Sequence, residues 1–323
     1  MEAQLVDDLP EGDWQYEPKW DGFRGVVEND GGELAVWSRN GRPLLRYFPE
    51  LGPLGAKLPP HSALDGEIVI ERSGGLDFDA LQMRLHPAES RVRTLSQEIP
   101  ARFVAFDVLL WKGERVFELP LAKRRARLEK LRLPFAVSSA SLDIAMARRW
   151  LERLEVIGLD GVMAKRLDSA YLPGSREAVV KVKPHKTADC VVVGVRWKSK
   201  PTRLATLLLG LHDGDKLHYV GSCAVAPARN DEMLALVRPL LKGAPERGFS
   251  ESNRWGTGDL GESALRPELV CEVRYAKAEK RRFRHGTRFL RFRPDKDPKE
   301  CTWAQVRPRR RRGDPSVDGL FAG

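Results

Sequence analysis

A lysine early in the chain stands in a setting that suits nucleophilic chemistry. It lies in the run Glu17-Pro18-Lys19-Trp20-Asp21-Gly22-Phe23-Arg24. A lysine amine attacks an electrophile only after losing its proton, and burial or neighbouring cations lower the lysine pKa enough for that. Gly22 permits a tight turn before the strand that follows. The same run, taken alone, is also compatible with a surface lysine in a loop.

Two further lysines have a spacing that suits phosphate binding. Lys181 and Lys183 alternate with Val180 and Val182, which places both ammonium groups on one face of a strand. Transfer at a phosphate needs positive charge beside its oxygens and beside the leaving group. A solvated strand face is the alternative, and the alternation with valines favours the functional interpretation.

Two carboxylates and an aromatic residue are further candidates. Glu67 lies in the apolar run 63–70, where an isolated charge is costly, so it either projects from the open face of a sheet or serves a site. Asp160 precedes a glycine and an apolar strand, and it either binds Mg²⁺, directly or through water, or is a turn residue. Phe106 lies in an otherwise aliphatic strand, where most phenylalanines are core residues.

Basic residues cluster towards the end of the chain, with three phenylalanines among them and one acid, Asp295. The basic residues are Lys280, Arg281, Arg282, Arg284, Arg288, Arg291, Arg293 and Lys296, and the aromatic ones are Phe283, Phe289 and Phe292. Such a pattern suits nucleic acid, through phosphate contacts and base stacking, and a solvated strand is the competing interpretation.

The elements that position these residues form two groups. In the first half, strands are predicted at 23–27, 34–38, 63–70 and 103–110, and helices at 120–131 and 143–157, the second ending at Gly158. In the second half, strands are predicted at 190–195, 204–211, 216–221, 269–275 and 287–293, with a helix near 230–241. Five short strands with one helix after the third are typical of an oligonucleotide-binding (OB) barrel, and another small β-barrel is the alternative.

The bulk properties fit a two-domain protein. The chain has 323 residues, which is more than one compact core usually holds, and 42% of them are hydrophobic. We expect domains at 1–186 and 187–306, and a basic, disordered tail at 307–323. The net charge of +10 fits a polyanionic partner but does not require one.

Four scattered cysteines without a C-x-x-C pair argue against a zinc ribbon and against a disulfide framework, and a reducing cytoplasm is the simplest location. The sequence has no signal peptide and no apolar stretch of membrane-spanning length, so no membrane association is expected.

Several other short segments follow the lysine run in a fixed order. They are Ser38-Arg39-Asn40-Gly41, Tyr47-Phe48-Pro49-Glu50, Leu64-Asp65-Gly66-Glu67-Ile68, Val104-Ala105-Phe106-Asp107, Asp160-Gly161-Val162-Met163-Ala164-Lys165, Val180-Lys181-Val182-Lys183 and Arg288-Phe289-Leu290-Arg291-Phe292-Arg293-Pro294-Asp295-Lys296. The series closely resembles the covalent nucleotidyltransferase superfamily and, within it, the ATP-dependent DNA ligases. The small bacterial ligases and the ligase modules of bacterial end-joining proteins look nearest, and the resemblance covers about residues 17–302.

The resemblance implies a mixed α/β (α+β) nucleotidyltransferase domain with antiparallel sheets, followed by an all-β OB-fold barrel. It also implies an ATP-dependent DNA ligase that seals 3′-OH/5′-phosphate nicks in duplex DNA through a lysyl-AMP intermediate and a DNA-adenylate. Lys19 is then the nucleophile. ATP and Mg²⁺ (or Mn²⁺) are the expected cofactors, and nicked DNA the partner. End-joining or repair proteins are possible further partners, and we expect a monomer near the bacterial nucleoid.

The remaining roles also come from the resemblance. Glu17 would accept a hydrogen bond from the adenine amino group, Phe106 would stack on adenine, and Glu67 would hold the ribose and help to organise metal. The positive residues implied to bind the nucleotide are Arg24 and Arg39 at the ribose and later at the DNA 5′-phosphate, Lys165, Lys181 and Lys183 at phosphate, and Arg288, Arg293 and Lys296 at the pyrophosphate.

The sequence departs from the family pattern at one position. Asp160 stands where glutamate is commoner. Its shorter side chain makes a contact with metal through water an alternative to a direct one.

The second domain must also move between steps, and residues 183–186 are the expected hinge.

Four alternative functions remain to be weighed. An RNA ligase would share the lysine chemistry, but the barrel and the terminal Arg-x-Asp-Lys series oppose it. A capping guanylyltransferase is opposed by Glu17. A DNA-binding barrel with an inactive transferase domain is opposed by the presence of the reactive residues. An NAD⁺-dependent ligase is opposed by the lack of zinc-type cysteines.

Overall fold

The computed structural model describes residues 1–184, 186–198, 203–242, 261–279, 281–307, 310 and 312–322. The chain divides into two compact units, Met1–Pro184 together with Arg309–Gly323, and His185–Pro308. In sequence, the second unit is therefore inserted between the main part of the first unit and the end of the chain. Within the described residues, none of the helices has the length and apolar character that crossing a bilayer requires.

The first unit is built on two sheets. Its strands are β1 Gln4–Val6, β2 Trp14–Pro18, β3 Phe23–Asn29, β4 Leu34–Ser38, β5 Ser62–Val69, β6 Glu71–Arg72, β7 Gly75–Leu76, β8 Arg102–Trp111, β9 Glu114–Arg115, β10 Ala136–Val137, β11 Val162–Arg166 and β12 Val179–Val182. Its helices are α1 Gly52–Gly55, α2 Phe78–Met83, α3 Glu89–Glu98, α4 Leu121–Leu128 and α5 Ile144–Arg153.

The strand order is β1-β12-β11-β2 in one sheet and β10-β8-β5-β3-β4 in the other, with β9 on β8 and a separate ribbon of β6 and β7. Within these two sheets the pairing is antiparallel, except that the edge strands β1 and β10 pair in parallel.

Two apolar clusters hold these sheets. One contains Val27, Leu64, Ile68 and Phe103 from the central strands β3, β5 and β8. The other joins β2, β11 and β12 to α5 and the turn that follows it: Ala147, Trp150, Leu154 and Ile157 are buried there, and Leu151 packs against them partly buried.

Sequence patterning locates the central elements well. The predicted strands agree closely with β3, β4, β5 and β8, and the helix α5 continues as a short 3₁₀ turn to Gly158, whose φ of 88° is the left-handed cap expected of glycine. The short helices α2 and α3 have no counterpart among the predicted elements, since each buries only two side chains and presents a weak periodic signal.

The second unit is a β-barrel. Its strands are β13 Lys186–Trp197, β14 Leu204–Asp213, β15 Lys216–Ala224, β16 Glu262–Ala264, β17 Val270–Glu279 and β18 Arg282–Phe292, and its helix is α6 Asn230–Val237. The strands β13, β14, β15, β18 and β17 pair in that order, and β17 returns to β13, which closes the barrel. The five strands and the helix after the third confirm the predicted OB fold. The four cysteines lie in this unit as buried free thiols.

The end of the chain differs from its prediction. Residues 307–323 are expected to be disordered, but Arg309–Gly323 groups with the first unit. Val317 and Leu320 are 1% and 3% exposed, and Asp314 forms an ion pair with Arg153 at 2.6 Å. An arginine run followed by small and acidic residues suggested a solvated tail, whereas Val317 and Leu320 are buried in the apolar cluster that also contains Trp150.

Candidate active site

A pocket of about 870 Å³ opens on the first unit, with lining residues from both of its sheets. Eight of the residues predicted to bind the nucleotide lie along it: Glu17, Lys19, Arg24, Arg39, Glu67, Phe106, Lys165 and Lys181. Asp160 joins the same site through its ion pair with Lys19, and Lys183 joins it through its ion pair with Asp160. The sequence therefore identified a set of residues that the fold brings together.

The loop that carries Lys19 is fixed at three points. The Lys19 amide donates to the Gly161 carbonyl at 3.0 Å, and the buried indole of Trp20 donates to Ser138 Oγ at 2.8 Å. At Gly22, an added Cβ would lie 2.2 Å from the Ile68 carbonyl oxygen, so only glycine lets the loop pass this close to β5. The nucleophile candidate therefore projects from a rigid turn between β2 and β3.

The Lys19 side chain ends in an alternating row of charges. Its Nζ lies 2.6 Å from Asp160 Oδ1, and Lys183 Nζ lies 2.6 Å from Asp160 Oδ2. Burial would by itself raise the pKa of Asp160, but the positive charge of Lys19 and the hydrogen bond from Lys183 outweigh it and hold that pKa below its ordinary value. Nearby, burial lowers the pKa of Lys181, and the charges of Lys19 and Lys183 lower it further. The site thus concentrates positive charge around one carboxylate.

A buried ion pair lies at another part of the pocket wall. Glu17 Oε1 accepts from Gln15 Nε2 at 2.7 Å, and Glu17 Oε2 lies 2.8 Å from Lys165 Nζ. The Lys165 ammonium also lies 4.5 Å from the centre of the Phe106 ring. Phe106 is half-buried and lines the pocket. Lys165, for which a phosphate contact is predicted, is grouped by the fold with Glu17 and Phe106, the two residues predicted to bind adenine.

Glu67 lies on β5 close to Lys19. Burial raises the pKa of Glu67 to about 8, although the charge of Lys19 acts in the opposite direction. Its strand neighbour Asp65 is fully buried and binds Arg24 through both oxygens, at 3.1 and 2.7 Å. Tyr171 donates a third hydrogen bond to Asp65 at 2.8 Å. Asp65 therefore fixes the guanidinium of Arg24 at the pocket wall.

At the pocket mouth, one carboxylate bridges two arginines. Glu2 lies 2.8 Å from Arg39 and 2.7 Å from Arg176. Hydrogen bonds from Arg176 and Arg39 lower the pKa of Glu2 to about 2. Two guanidinium groups can therefore reach a single oxyanion at this position.

The carboxylates of Glu67 and Asp160 suit a hard cation. Mg²⁺ is ordinarily held by one or two carboxylates, with the remaining ligands supplied by phosphates and water. Both oxygens of Asp160 already face positive charge, from Lys19 and Lys183. Within the described residues no cluster of three or more His, Cys, Asp or Glu side chains has metal-binding geometry. The two carboxylates fit a cation that takes most of its ligands from a nucleotide.

Three predicted residues belong to the second unit. Arg293 contacts Asp295 at 2.8 Å and Asp189 at 3.0 Å, and Lys296 contacts Glu300 at 2.6 Å. Arg288 is paired across the strands with Arg274. Of the basic cluster, Lys280 lies outside the described residues.

Sequence reasoning missed several residues of the site. Gln15, Tyr171 and Arg176 have no motif that singles them out. Asp65 and Asp107 could have been found, because a carboxylate inside an apolar strand needs a partner. Asp107 has one in the fully buried Arg124, which it binds through both oxygens at 2.8 and 2.9 Å.

Comparison with known proteins identifies the family of this chain. A family model described as ATP dependent DNA ligase domain matches residues 2–183, and one described as ATP dependent DNA ligase C terminal region matches residues 200–296. The chain belongs to the ATP-dependent DNA ligases. The predicted family and enzyme class are thus confirmed.

Individual relatives agree with this assignment. The chain is 42% identical to DNA ligase C of Mycobacterium tuberculosis over 333 residues, covering 95% of this chain and 92% of that protein. It is 30% identical to the multifunctional non-homologous end joining protein LigD of Mycolicibacterium smegmatis, covering 90% of this chain and 37% of that protein. A solved structure from work on Lig E DNA ligases shares the fold, with a TM-score of 0.54 at 17% identity, covering 91% of this chain and all of that one.

Proposed function

We propose that this ligase seals 3′-OH/5′-phosphate nicks in duplex DNA in three steps. Lys19 Nζ first attacks the α-phosphorus of ATP, forming a nitrogen–phosphorus bond as pyrophosphate leaves. The AMP then passes to the 5′-phosphate at the nick, and the 3′-hydroxyl attacks that phosphate and releases AMP. The placement of Lys19 supports this proposal, since its amine lies on a rigid turn inside a nucleotide-sized pocket, among cations and carboxylates.

The pocket supports a definite orientation for ATP. Glu17, held by Gln15 and Lys165, has a carboxylate suited to accept from the adenine amino group, and Phe106 offers a face for stacking. Guanine has a carbonyl acceptor where adenine has its amino group, so an ionised Glu17 favours ATP over GTP. At the other end, Lys181 and Lys183 supply positive charge for the α-phosphate, as the reaction requires.

Activation of Lys19 depends on the Asp160 carboxylate. In the observed arrangement Asp160 is ion-paired with Lys19 at 2.6 Å. Were Asp160 to hold a cation instead, this ion pair would be released and the Lys19 amine would be free to approach the α-phosphorus beside Lys181 and Lys183. Mg²⁺ (or Mn²⁺) held by Glu67 and Asp160 would supply positive charge on the phosphate oxygens. Glu67, whose pKa is raised by burial, would also form a hydrogen bond with the ribose.

The DNA 5′-phosphate would bind where Glu2 now lies. Arg39 and Arg176 both contact the Glu2 carboxylate, and guanidinium groups bind phosphate as they bind carboxylate. Arg24, held by Asp65, would contact the ribose during loading of AMP. In this proposal Glu2 is displaced when nicked DNA arrives.

The barrel would take part in both loading and sealing. Arg288, Arg293 and Lys296 would orient pyrophosphate as it leaves, and the basic strand β18 would contact DNA. To act first on ATP and then on DNA, the barrel must move, and the boundary between Pro184 and His185 falls inside the predicted hinge. We also propose that the chain acts as a monomer in the cytoplasm on nucleoid DNA, and the likeness to LigD, which is named for end joining, supports a role in repair or end joining.

A sealing assay tests this proposal. The protein would be incubated with Mg²⁺, a nicked duplex and ATP, GTP or NAD⁺ in separate reactions, and an RNA nick would be run in parallel. Sealed DNA with ATP alone is the expected result. Sealing confined to the RNA nick, or sealing that depends on GTP or NAD⁺, would assign the chain to a different reaction.

A further inference from the structure

The end of the chain packs directly behind the turn that carries Lys19. The Phe321 ring stacks on the Trp20 indole, with centroids 5.7 Å apart and planes 11° from parallel. Trp20 is 5% exposed and adjoins Lys19 in sequence. The aromatic partner of the residue next to the nucleophile is therefore supplied from the other end of the chain.

Backbone hydrogen bonds hold Phe321 at this position. The Ser139 amide donates to the Leu320 carbonyl, and the Ala322 amide donates to the Val137 carbonyl, each at 2.8 Å. The segment they join, 137–139, is the one whose Ser138 hydroxyl accepts from the Trp20 indole. The tail and the lysine turn thus share one support.

Side chains reinforce the docking. The Arg102 guanidinium lies 4.5 Å from the centre of the Phe321 ring and donates to Asp318 at 2.8 Å. Val317 and Leu320 belong to the same apolar cluster as Trp20. An incidental surface contact would not combine a buried apolar cluster, a paired backbone and an oriented ring.

We infer that Phe321 is a positioning residue for the nucleophile, a role that rests on the proposed lysyl-AMP reaction. Phe321 does not line the pocket, so it acts through Trp20. Attack on phosphorus requires the amine to lie within a narrow range of distance and angle, and a misplacement of about 1 Å costs about a hundredfold in rate. Without its stacking partner, Trp20 can shift, and the Lys19 amine shifts with it.

This role predicts a difference between two half-reactions. Loading of AMP uses the Lys19 amine as the attacking group, whereas sealing of a pre-made DNA-adenylate does not. A change that only destabilises the domain affects both reactions. A change that only misplaces Lys19 slows loading and leaves the sealing of DNA-adenylate intact.

The experiment compares Phe321→Ala, Phe321→Leu and Phe321→Tyr in the full chain. Single-turnover rates of AMP loading at saturating ATP, the KM for ATP and the rate of sealing of pre-adenylated nicked DNA would be measured at a temperature where all variants are folded. Phe117→Leu is a matched control, because Phe117 is also half-buried with an arginine over its ring, Arg115 at 5.0 Å.

We expect Phe321→Ala and Phe321→Leu to slow the maximal rate of loading by about 10- to 100-fold, with KM for ATP and the sealing of DNA-adenylate within about threefold of the unmodified protein. Phe321→Tyr, which keeps a ring to stack on Trp20, and the control Phe117→Leu should both load AMP at the rate of the unmodified protein. Equal losses in loading and sealing, or unchanged loading in Phe321→Leu, would overturn the inference. Failure of the unmodified protein to load AMP would instead refute the proposed function.

Discussion

Replacing Lys165 with methionine tests how the pocket holds Glu17. The two side chains are 9% and 3% exposed, and Lys165 Nζ lies 2.8 Å from Glu17 Oε2. Removing one partner of such a buried pair costs about 3–5 kcal/mol, because the other charge stays buried. Gln15 still donates to Glu17 in the variant, so we expect the lower end, about 3 kcal/mol.

The loss should appear as a lower melting temperature. For a domain of this size, 1 kcal/mol corresponds to about 2–4 °C, so the transition of the nucleotidyltransferase domain should fall by about 6–12 °C. Differential scanning calorimetry of the Lys165→Met and Glu17→Gln/Lys165→Met variants is the assay. The double variant removes both charges of this buried pair and should recover most of the lost stability.

The same change should weaken the choice of nucleotide. Without the Lys165 ammonium, only Gln15 holds the Glu17 carboxylate, so its fixed placement against the adenine amino group is lost. We expect the preference for ATP over GTP in AMP or GMP loading to fall by about tenfold or more. An unchanged melting temperature in Lys165→Met, or a double variant no more stable than the single one, would refute this account.

Three further predictions concern the phosphate and metal ends of the pocket. Glu2→Gln should lower the KM for nicked DNA several-fold without changing AMP loading. Because the Glu2 pKa is about 2, lowered by Arg176 and Arg39, Glu2 stays charged and this effect should be constant from about pH 6 to 9, disappearing only as the pH falls towards 2. Arg176→Ala should raise the KM for the nick by about tenfold and spare loading, and equal effects on both would contradict the assigned contact. Asp160→Asn should raise the Mg²⁺ concentration for half-maximal loading by about tenfold, with Asp160→Glu close to the unmodified protein, as measured by Mg²⁺ titration of single-turnover loading.

The strongly patterned parts of the chain were predictable. Alternating apolar residues located the central strands; of the two alternating lysines, Lys181 lies in β12 and Lys183 directly follows it, near enough for its charge to lower the pKa of Lys181. The turn that carries Lys19 was predictable from its motif, because Gly22 is required where the chain passes close to β5.

Features that depend on distant contacts were not predictable. Arg176 reaches Glu2 across the pocket mouth, a contact between positions 174 residues apart. The docking of Phe321 depends on a surface made by Trp20 and residues 137–139, which no local pattern in the tail reveals. The grouping of Lys165 with Glu17 follows from the pairing of β11 with β2, and that register is set by tertiary structure.

The most direct test of the central claim is to locate the AMP. The protein would be incubated with ATP and Mg²⁺ without DNA, digested, and analysed by peptide mass spectrometry under conditions that preserve phosphoramidates, with Lys19→Ala in parallel. We predict an AMP adduct on Lys19 that disappears when nicked DNA is added, and no adduct in the variant. An adduct on another residue, or full loading of Lys19→Ala, would contradict the account.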